Sequence, residues 1–238
     1  MKLTPRLAAI ADLISSGSIV ADIGTDHAYL PVYLIQEQIC QSVVASDSNL
    51  SPLKQAMETV AAFNCLHKVE LRYGDGLSIL SKDDDVDTII VAGLGGKAII
   101  AILQRGQEKL AHIRQLILQP MNDSGLLRLF LAKNGYALAN ELLVMEGKRL
   151  YEIILAKPGT ENEKDFFRLS IGPRLLEQRP PLLIDLINNK VRKLRVVRDN
   201  LVRAKQKDVS AKIKEVEQLI TLLEEVLSVD TVVNKQTD

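Results

Sequence analysis

Residues 20–31 read VADIGTDHAYLP, and this stretch decides the fold. Its first part is typical of a buried strand that runs into a glycine turn, which is how α/β enzymes commonly meet nucleotide-type cofactors. A dinucleotide-binding loop would carry further glycines, so that the next helix can approach a pyrophosphate. Here Thr25, Asp26 and Ala28 occupy those positions, and an acidic side chain repels a pyrophosphate. The loop therefore suits a cationic cofactor.

Outward from this stretch, β-branched apolar segments alternate with helical segments as far as residue 158, which predicts a parallel sheet covered on both faces. The connection around Gly147 is too short for a parallel crossover, so the last two strands form an antiparallel end. This α/β pattern, a Rossmann-like sheet of seven mostly parallel strands, is that of class I S-adenosylmethionine methyltransferases. Strands are predicted at 18–22, 42–46, 68–73, 87–92, 113–119, 136–146 and 150–157, and helices at about 4–15, 28–38, 51–63, 97–109 and 123–134.

The composition changes after Lys157-Pro158-Gly159, where Lys, Arg, Glu and Leu at helical spacing replace the β-branched segments. We predict an S-adenosylmethionine-binding domain at 1–160 and an α-helical coiled-coil domain at 161–238. Two apolar sets spaced by three and four residues predict two antiparallel helices, and Asp208 or Ser210 would cap the second. The sets are Val191, Leu194, Leu201 and Ala204, and Ile213, Val216, Ile220, Leu223 and Leu227.

The overall composition excludes several classes of protein. The 238 residues include 30 basic and 30 acidic side chains, so the net charge alone neither favours nor excludes nucleic acid. There is no signal-peptide pattern and no long apolar run, which predicts a soluble, cytoplasmic protein that does not bind a membrane. Cys40 and Cys65 lack the spacing of a zinc site or a disulfide framework, and the three histidines lie far apart, so no metal is predicted.

Three aspartates follow successive predicted strands, namely Asp22, Asp47 and Asp75. Asp47 is placed to accept hydrogen bonds from the ribose hydroxyls of an adenosine, in NAD or in S-adenosylmethionine alike. Asp75, between two glycines, is placed to accept from the adenine amino group. One such acid alone would be read as a loop cap, but three at neighbouring strand ends favour a cofactor site, and the acidic loop after the first strand suits S-adenosylmethionine, which carries a sulfonium and an ammonium. The predicted cofactor-binding residues are Asp22, Ile23, Gly24, Asp47, Ser48, Gly74, Asp75, Gly76, Ala92, Gly93 and Leu94.

Two further loops follow the fourth and fifth strands. Residues 92–96, AGLGG, lack the Lys-Ser/Thr of a P-loop and form either the wall beside the reacting methyl group or a tight turn. In the next loop, Gln119 and Asn122 can donate and accept hydrogen bonds at the edge of an adenine. The alternative is that Asn122 or Asp123 caps the following helix. No Asn/Asp-Pro-Pro-aromatic motif and no cysteine at a strand end occurs, which disfavours exocyclic-amine and pyrimidine C5 methylation.

Together, ADIGTDHAYLP (21–31), GDGL (74–77), AGLGG (92–96), LQPMN (118–122) and LYEI (150–153) resemble the bacterial TrmK family, and the similarity extends over the whole chain. TDHAYLP is the most specific match, because generic methyltransferases do not share it. The resemblance implies an S-adenosylmethionine-dependent tRNA methyltransferase that acts on N1 of adenine 22. Leu94 and Met121 depart from the methionine and the asparagine expected there.

Asp26 and His27 are the predicted catalytic residues. N1 of adenine has an in-plane lone pair and is unprotonated at neutral pH, so catalysis can depend mostly on positioning. Because the product carries a positive charge or loses an N6 proton, Asp26 would stabilise charge while His27 orients the base or relays a proton. The alternative is that Asp26 holds the methionine ammonium or caps the helix, while His27 is a packed residue of its first turn.

A basic stretch in the predicted coiled coil could follow an RNA backbone. The alternatives are that this stretch is a solvated flank of the coiled coil, or a surface for a dimer or a protein partner. A monomer is favoured, because the apolar seam is short enough to be buried internally. Competing functions are a small-molecule methyltransferase, an NAD-dependent oxidoreductase, which the missing glycines disfavour, and a non-catalytic RNA-binding protein with a vestigial fold. The stretch contains Lys190, Arg192, Lys193, Arg195, Arg198, Arg203, Lys205 and Lys207, of which Lys190, Arg192, Arg195 and Arg198 are the predicted substrate contacts.

Overall fold

The computed structural model describes residues 1–203 and 209–233, with side chains as far as residue 228. The chain divides into two compact units, Met1–Glu177 and Gln178–Asp238. This division lies later than the predicted limit after residue 160, because the intervening segment packs with the sheet. Glu161 Oε2 accepts a hydrogen bond from the backbone N–H of Leu138 at 2.8 Å, and Arg128 Nη1 donates to the carbonyl oxygen of Leu169 at 3.3 Å.

A seven-stranded sheet forms the centre of the first unit, in the order β3-β2-β1-β4-β5-β7-β6. The first five strands run parallel, whereas β7 is antiparallel to both β5 and β6. The predicted class I methyltransferase fold with an antiparallel end is confirmed. The strands are β1 (Ser18–Ile23), β2 (Cys40–Asp47), β3 (Val69–Tyr73), β4 (Thr88–Leu94), β5 (Gln115–Pro120), β6 (Tyr136–Glu146) and β7 (Arg149–Pro158).

Helices cover both faces of this sheet, and each face has its own apolar core. Ile89 and Ile90 are adjacent in β4 and fully buried, yet they belong to different cores because successive side chains of a strand point to opposite faces. Burial on both faces explains the continuous β-branched segments in the sequence. The helices of this part are α1 (Pro5–Ala11), α2 (Tyr29–Gln36), α3 (Leu50–Ala62), α4 (Gly96–Arg105) and α5 (Ser124–Lys133).

Two short helices that the sequence analysis did not predict follow the sheet, α6 (Phe166–Ile171) and α7 (Pro173–Gln178). Their signals are present, since Asp165 Oδ1 accepts from the backbone N–H of Phe167 at 2.9 Å, as an N-cap does, and Pro173 is the first residue of α7. Six residues each, however, are too few to show a helical period.

The second unit contains α8 (Leu183–Arg203) and α9 (Ser210–Val233), which pack against each other. The predicted apolar sets supply the buried side chains Val191, Val216, Ile220 and Leu223. Coiled-coil geometry stays a prediction, and Ala204, Lys205, Lys207 and Asp208 lie outside the described residues. Within the described ranges, none of the helices combines the length and the apolar character that crossing a bilayer requires.

Candidate active site

A cavity of about 510 Å³ lies at the carboxyl edge of the sheet, where parallel α/β folds place their ligands. The loops after β1, β2, β3 and β4 line it, together with residues from α1 and β7. Every predicted cofactor-binding residue lies on its wall, and so do Asp26 and His27. The parallel register explains this convergence, because the ends of neighbouring strands meet at one edge.

The loop after β1 follows an unusual backbone path. The N–H groups of Gly24 and Thr25 both donate to the carbonyl oxygen of Ser46, each at 2.8 Å, so the loop crosses the end of β2. Gly24, Asp26 and Ala28 all have positive φ angles, of 80°, 51° and 56°. Two of these residues are not glycine, and such conformations in ordinary residues concentrate at functional sites.

This path directs the predicted catalytic pair outward. The Asp26 side chain is 68% exposed and that of His27 38%, and Nε2 of His27 lies 3.7 Å from Oδ2 of Asp26. The His27 ring stacks on Tyr29, with centroids 5.3 Å apart and an interplanar angle of 15°. The N-cap residue of α2 is Ala28, without a side-chain capping bond, so the alternative that Asp26 caps this helix is wrong.

Asp22 is the one buried acid of the predicted set. Its Oδ2 accepts a hydrogen bond from the hydroxyl of Thr25 at 2.7 Å. Burial raises the pKa of Asp22 from 3.8 to about 6, and the Thr25 bond and the charge of Arg6 oppose this effect only in part. A cationic ligand beside Asp22 would stabilise the charged form of this carboxylate and so offset the solvation that it loses by burial.

Asp47 and Asp75 lie nearer the solvent. Oδ1 of Asp47 accepts from the backbone N–H and the side-chain amide of Asn49, at 2.7 and 3.2 Å, which orients the carboxylate at the end of β2. Asp75 is 66% exposed and forms an ion pair with Arg105 at 2.9 Å. Both acids retain solvent-facing oxygen atoms that can accept hydrogen bonds from a ligand.

The backbone of the cavity is open to a ligand at two glycines. A Cβ atom built on Gly24 or Gly93 would meet no atom within 4 Å, so both face open space on the cavity wall. The hydroxyl of Ser46, on the same wall, is buried and has no hydrogen-bond partner among the described residues. Bare backbone together with acids at three strand ends fits S-adenosylmethionine, which carries a sulfonium and an ammonium.

Gln119 does not occupy the position that the sequence analysis proposed. The side chain is fully buried, and its Oε1 accepts from Arg6 Nη1 at 2.9 Å and from the backbone N–H of Gly93 at 3.1 Å. Its Nε2 donates to the carbonyl oxygen of Pro120 at 3.1 Å. Because these contacts use the amide inside the protein, the predicted contact between Gln119 and a base is wrong for this conformation.

Asn122 is exposed, but Met121 rather than Asn122 lines the cavity. The carbonyl oxygen of Asn122 accepts from the backbone N–H of Gly96 at 3.1 Å, which joins the loops after β4 and β5. Asp123 is the N-cap residue of α5 but makes no side-chain capping bond. The alternative that the Asp123 side chain caps α5 is therefore wrong, and the contact between Asn122 and the base stays a prediction.

The predicted RNA contacts lie on α8, in the second unit. Arg192 and Arg195 are exposed, while Lys190 and Arg198 are half-buried. Arg192 Nη2 donates to Asn189 Oδ1 at 2.7 Å, and the remaining two arginines pair with Glu224 and Asp199, at 2.7 and 2.8 Å. Such solvent-exposed pairs are weak, so these cations remain available to a phosphate backbone.

Some residues of the cavity wall come from outside the strand-end loops and were not predicted from the sequence. Arg6 of α1 reaches the cavity, and its Cζ lies 5.4 Å from the ring centroid of Tyr151 of β7. Arg149 and Tyr29 also line the cavity. A single arginine in a partly apolar helix gave no signal of a site. Among the residues that the structure describes, no three His, Cys, Asp or Glu side chains form a group that would hold a metal ion.

Comparison with known proteins identifies a family and relatives that this chain resembles over most of its length. The profile of a family described as tRNA (adenine(22)-N(1))-methyltransferase, TrmK, matches residues 20–225. The tRNA (adenine(22)-N(1))-methyltransferase of Bacillus subtilis (strain 168) is 30% identical over 233 residues, which cover 95% of this chain and 98% of that protein.

Two solved structures extend the similarity to cofactor complexes. Streptococcus pneumoniae Sp1610 in complex with S-adenosyl-L-methionine is 29% identical, with a TM-score of 0.86 and coverage of 95% of this chain and 100% of that chain. M. capricolum TrmK in complex with S-adenosyl-homocysteine is 25% identical, with a TM-score of 0.83 and coverage of 96% and 99%.

Proposed function

The chain belongs to the tRNA (adenine(22)-N(1))-methyltransferase family, and from this premise we propose that it transfers the methyl group of S-adenosylmethionine to N1 of adenine 22 in tRNA. The observation that carries the proposal is the acidic cavity beneath the TDHAYLP loop, where Asp22, Asp47 and Asp75 converge. When bound, S-adenosylmethionine supplies an electrophilic methyl group on a sulfonium. A tRNA substrate also accounts for the predicted cytoplasmic location.

The acids divide the recognition of the cofactor among them. Asp47 accepts hydrogen bonds from the ribose hydroxyls, because its orientation by Asn49 directs it to the end of β2. Asp75 accepts from the adenine amino group, and Gly24 and Gly93 let the ligand approach the backbone. Asp22 faces the ammonium, since it is the acid that burial leaves most in need of a cation.

Asp26 and His27 act on the target base. Both side chains lie on the cavity wall and reach solvent, so an extruded adenine can meet them. Asp26 stabilises the positive charge that develops on the base, and the stacked His27–Tyr29 pair offers an aromatic surface beside it. N1 needs no deprotonation before attack, so these residues contribute positioning and charge.

The experiment that tests the function is methyl transfer to transcripts. The protein is incubated with labelled S-adenosylmethionine and either an unmodified tRNA transcript or one with guanine at position 22, and the modified nucleotide is mapped. We expect one N1-methyladenine at position 22 and none in the second transcript. Methylation elsewhere would overturn the assigned position. Methylation of a metabolite but not of RNA would favour a small-molecule methyltransferase, and cofactor binding without transfer would favour the non-catalytic alternative.

The role of Asp26 is tested by Asp26→Ala in single-turnover methylation. We expect the rate to fall by roughly 10²- to 10⁴-fold while the affinity for S-adenosylmethionine is retained. Asp123→Ala is the matched control, because Asp123 is also an exposed aspartate with positive φ but does not line the cavity. A change confined to cofactor affinity would remove the catalytic assignment.

We extend the proposal to α8 as the surface that binds the tRNA backbone, with the protein acting as a monomer. Its support is the row formed by Arg192, Arg195 and Arg198, whose partners are all accessible to solvent. Replacing Arg195 and Arg198 by Glu should weaken tRNA binding and reduce its salt dependence, by a slope of roughly one for each phosphate that is no longer bound. The same exchange at exposed Lys212 and Lys214 of α9 is the control, and equal effects of both pairs would contradict a specific role for α8.

A further inference from the structure

The hairpin formed by β6 and β7 extends beyond the carboxyl edge of the parallel strands. Leu118 of β5 pairs with Ile154 of β7, and β5 ends two residues later at Pro120, whereas β6 and β7 continue to pair as far as Glu146 and Arg149. At about 3.3 Å per residue, the last three residues of the hairpin extend roughly 10 Å past the end of β5. The tip of the hairpin therefore lies at the rim of the cavity.

The alternation of side chains along β7 directs Arg149 toward this cavity. Ile153 is buried in the core on one face of the sheet, and side chains two residues apart share a face, so Tyr151 and Arg149 continue that face beyond β5. Both line the cavity, and Arg149 is exposed. Gly147 and Lys148 form a two-residue turn before it, with a φ angle of 59° at Gly147. Such a short turn fixes the backbone position of Arg149.

The guanidinium of Arg149 is not paired with the acid that lies opposite to it. Glu146 is the cross-strand neighbour of Arg149, in a position where opposite charges usually interact. Glu146 Oε2 instead accepts a hydrogen bond from the backbone N–H of Arg6 at 3.0 Å. Among the residues whose side chains the structure describes, no carboxylate oxygen lies within 4.0 Å of the Arg149 guanidinium. The positive charge at the rim therefore stays available to a ligand.

The charges of the cavity create a need for a cation at its rim. Four aspartates line the cavity, and they repel the phosphate group that any nucleotide brings with it. Arg6 and Arg149 are the lysine or arginine side chains that the described residues contribute to this wall. Arg6 is half-buried and donates to the buried Gln119 at 2.9 Å, whereas Arg149 is exposed. Arg149 is therefore the cation that an incoming phosphate can reach.

We propose that Arg149 binds a phosphate that flanks the tRNA nucleotide whose base enters the cavity, and so positions that nucleotide. The inference rests on the proposed function and adds a substrate contact to it. A base that lies beside the stacked His27 and Tyr29 leaves its sugar and phosphate at the rim. A guanidinium presents two parallel N–H groups that match a phosphate, which a lysine does not do. Arg149 therefore acts on the nucleotide that reacts, whereas α8 would contribute to overall affinity.

The test combines a variant with a substrate that lacks one charge. Synthetic tRNA carries an uncharged methylphosphonate at the linkage 5′ or 3′ of nucleotide 22, and methylation is measured below saturating tRNA. Arg149→Gln should lower the rate with natural tRNA by roughly 10- to 100-fold, the range of a hydrogen bond between charged groups. One of the two methylphosphonates should lower the wild-type rate similarly. The two changes together should cost no more than either alone, because they remove the same contact, and Arg149→Lys should retain part of the rate.

Arg114→Gln is the matched control, because Arg114 is also exposed but precedes β5, at the opposite edge of the sheet, and it should keep the wild-type rate. Calorimetry should show that Arg149→Gln binds S-adenosylmethionine as wild type does. Independent, multiplicative effects of the variant and the methylphosphonate overturn the inference, and so does a wild-type rate for Arg149→Gln. A loss confined to cofactor affinity also overturns it. These results leave the proposed function intact, whereas a wild-type protein that methylates no tRNA overturns both.

Discussion

Two groups of acidic side chains in the sheet domain differ in one respect, whether a buried guanidinium contacts the carboxylates directly. Around Arg128, which is fully buried, Glu141 and Glu152 both accept from the guanidinium, the latter at 2.8 Å. The remaining oxygen atoms are also engaged, since Ser124 donates to Glu152 at 2.9 Å and the backbone N–H of Arg174 donates to Glu141 at 2.8 Å. The acids of the cofactor cavity have mostly neutral or solvent-exposed partners.

The pKa shifts of Arg128 and Asp22 differ in the same way. Burial alone would lower the pKa of Arg128, but the charges of Glu141 and Glu152 outweigh it and the net shift is upward, so the charged form is stabilised. For Asp22, burial outweighs Thr25 and Arg6, so the charged form is destabilised. A complete ionic group satisfies its own charges, so the loss of one member leaves an unpaired buried charge, whereas an incomplete group is suited to bind a charged ligand.

The largest expected effect comes from making the complete group incomplete. Arg128→Met removes the buried guanidinium that Glu141 and Glu152 share, and it should lower the free energy of unfolding by about 3–5 kcal/mol. Urea denaturation followed by circular dichroism measures this change. Adding Glu141→Gln and Glu152→Gln to the same variant should restore much of the stability, and a further decrease instead would contradict the charge-pairing explanation.

Removing the buried charge from the cavity should instead raise the free energy of unfolding. Asp22→Asn keeps a partner for Thr25 but removes the buried charge, so it should stabilise the ligand-free protein by up to about 3 kcal/mol at pH 7, the equivalent of the shift in pKa. Because the pKa of Asp22 is higher in the folded protein than in the unfolded chain, wild type loses stability as the pH rises from about 4 to 6. The difference in the free energy of unfolding between the variant and wild type should therefore vanish near pH 4. A difference that does not depend on pH would contradict the role of ionisation.

The same ionisation should govern cofactor affinity. Below the pKa of about 6, Asp22 takes up a proton in the free protein, so the affinity for S-adenosylmethionine should fall by about tenfold per pH unit. The ligand ammonium stays protonated between pH 7 and 5, so it does not contribute. Calorimetry across this range should show a flat profile for Asp22→Asn, and an equally steep profile would assign the titration to another group.

The smallest effect is expected where the cavity does have an ion pair. Arg105 and Asp75 are 61% and 66% exposed, and such pairs contribute about 0–1 kcal/mol. Arg105→Ala should therefore change stability by less than about 1 kcal/mol and the affinity for S-adenosylmethionine by less than about threefold. A large decrease in affinity, measured by calorimetry with Asp75→Asn in parallel, would show that Arg105 belongs to the cofactor site.

The sequence predicted the sheet and the cavity acids for a definite reason. Parallel strands that are buried on both faces have a recognisable composition, and their ends must share an edge, so Asp22, Asp47 and Asp75 could be placed together without coordinates. The direction of a side chain at a strand end has no comparable rule. Whether Gln119 faces a ligand or the interior depends on its hydrogen bond with Arg6 of α1, which the local sequence around Gln119 does not reveal.

Asp26 and Ala28 hold left-handed backbone conformations without being glycine, and Ala28 is fully buried. Natural variation or an engineered library at position 28 should therefore admit glycine, which relaxes the backbone, and reject β-branched residues, which the conformation excludes. At position 26, glycine and asparagine are the substitutions that the backbone tolerates best, because both visit this region readily. Which amino acids survive at these two positions would thus separate selection for chain geometry from selection for chemistry.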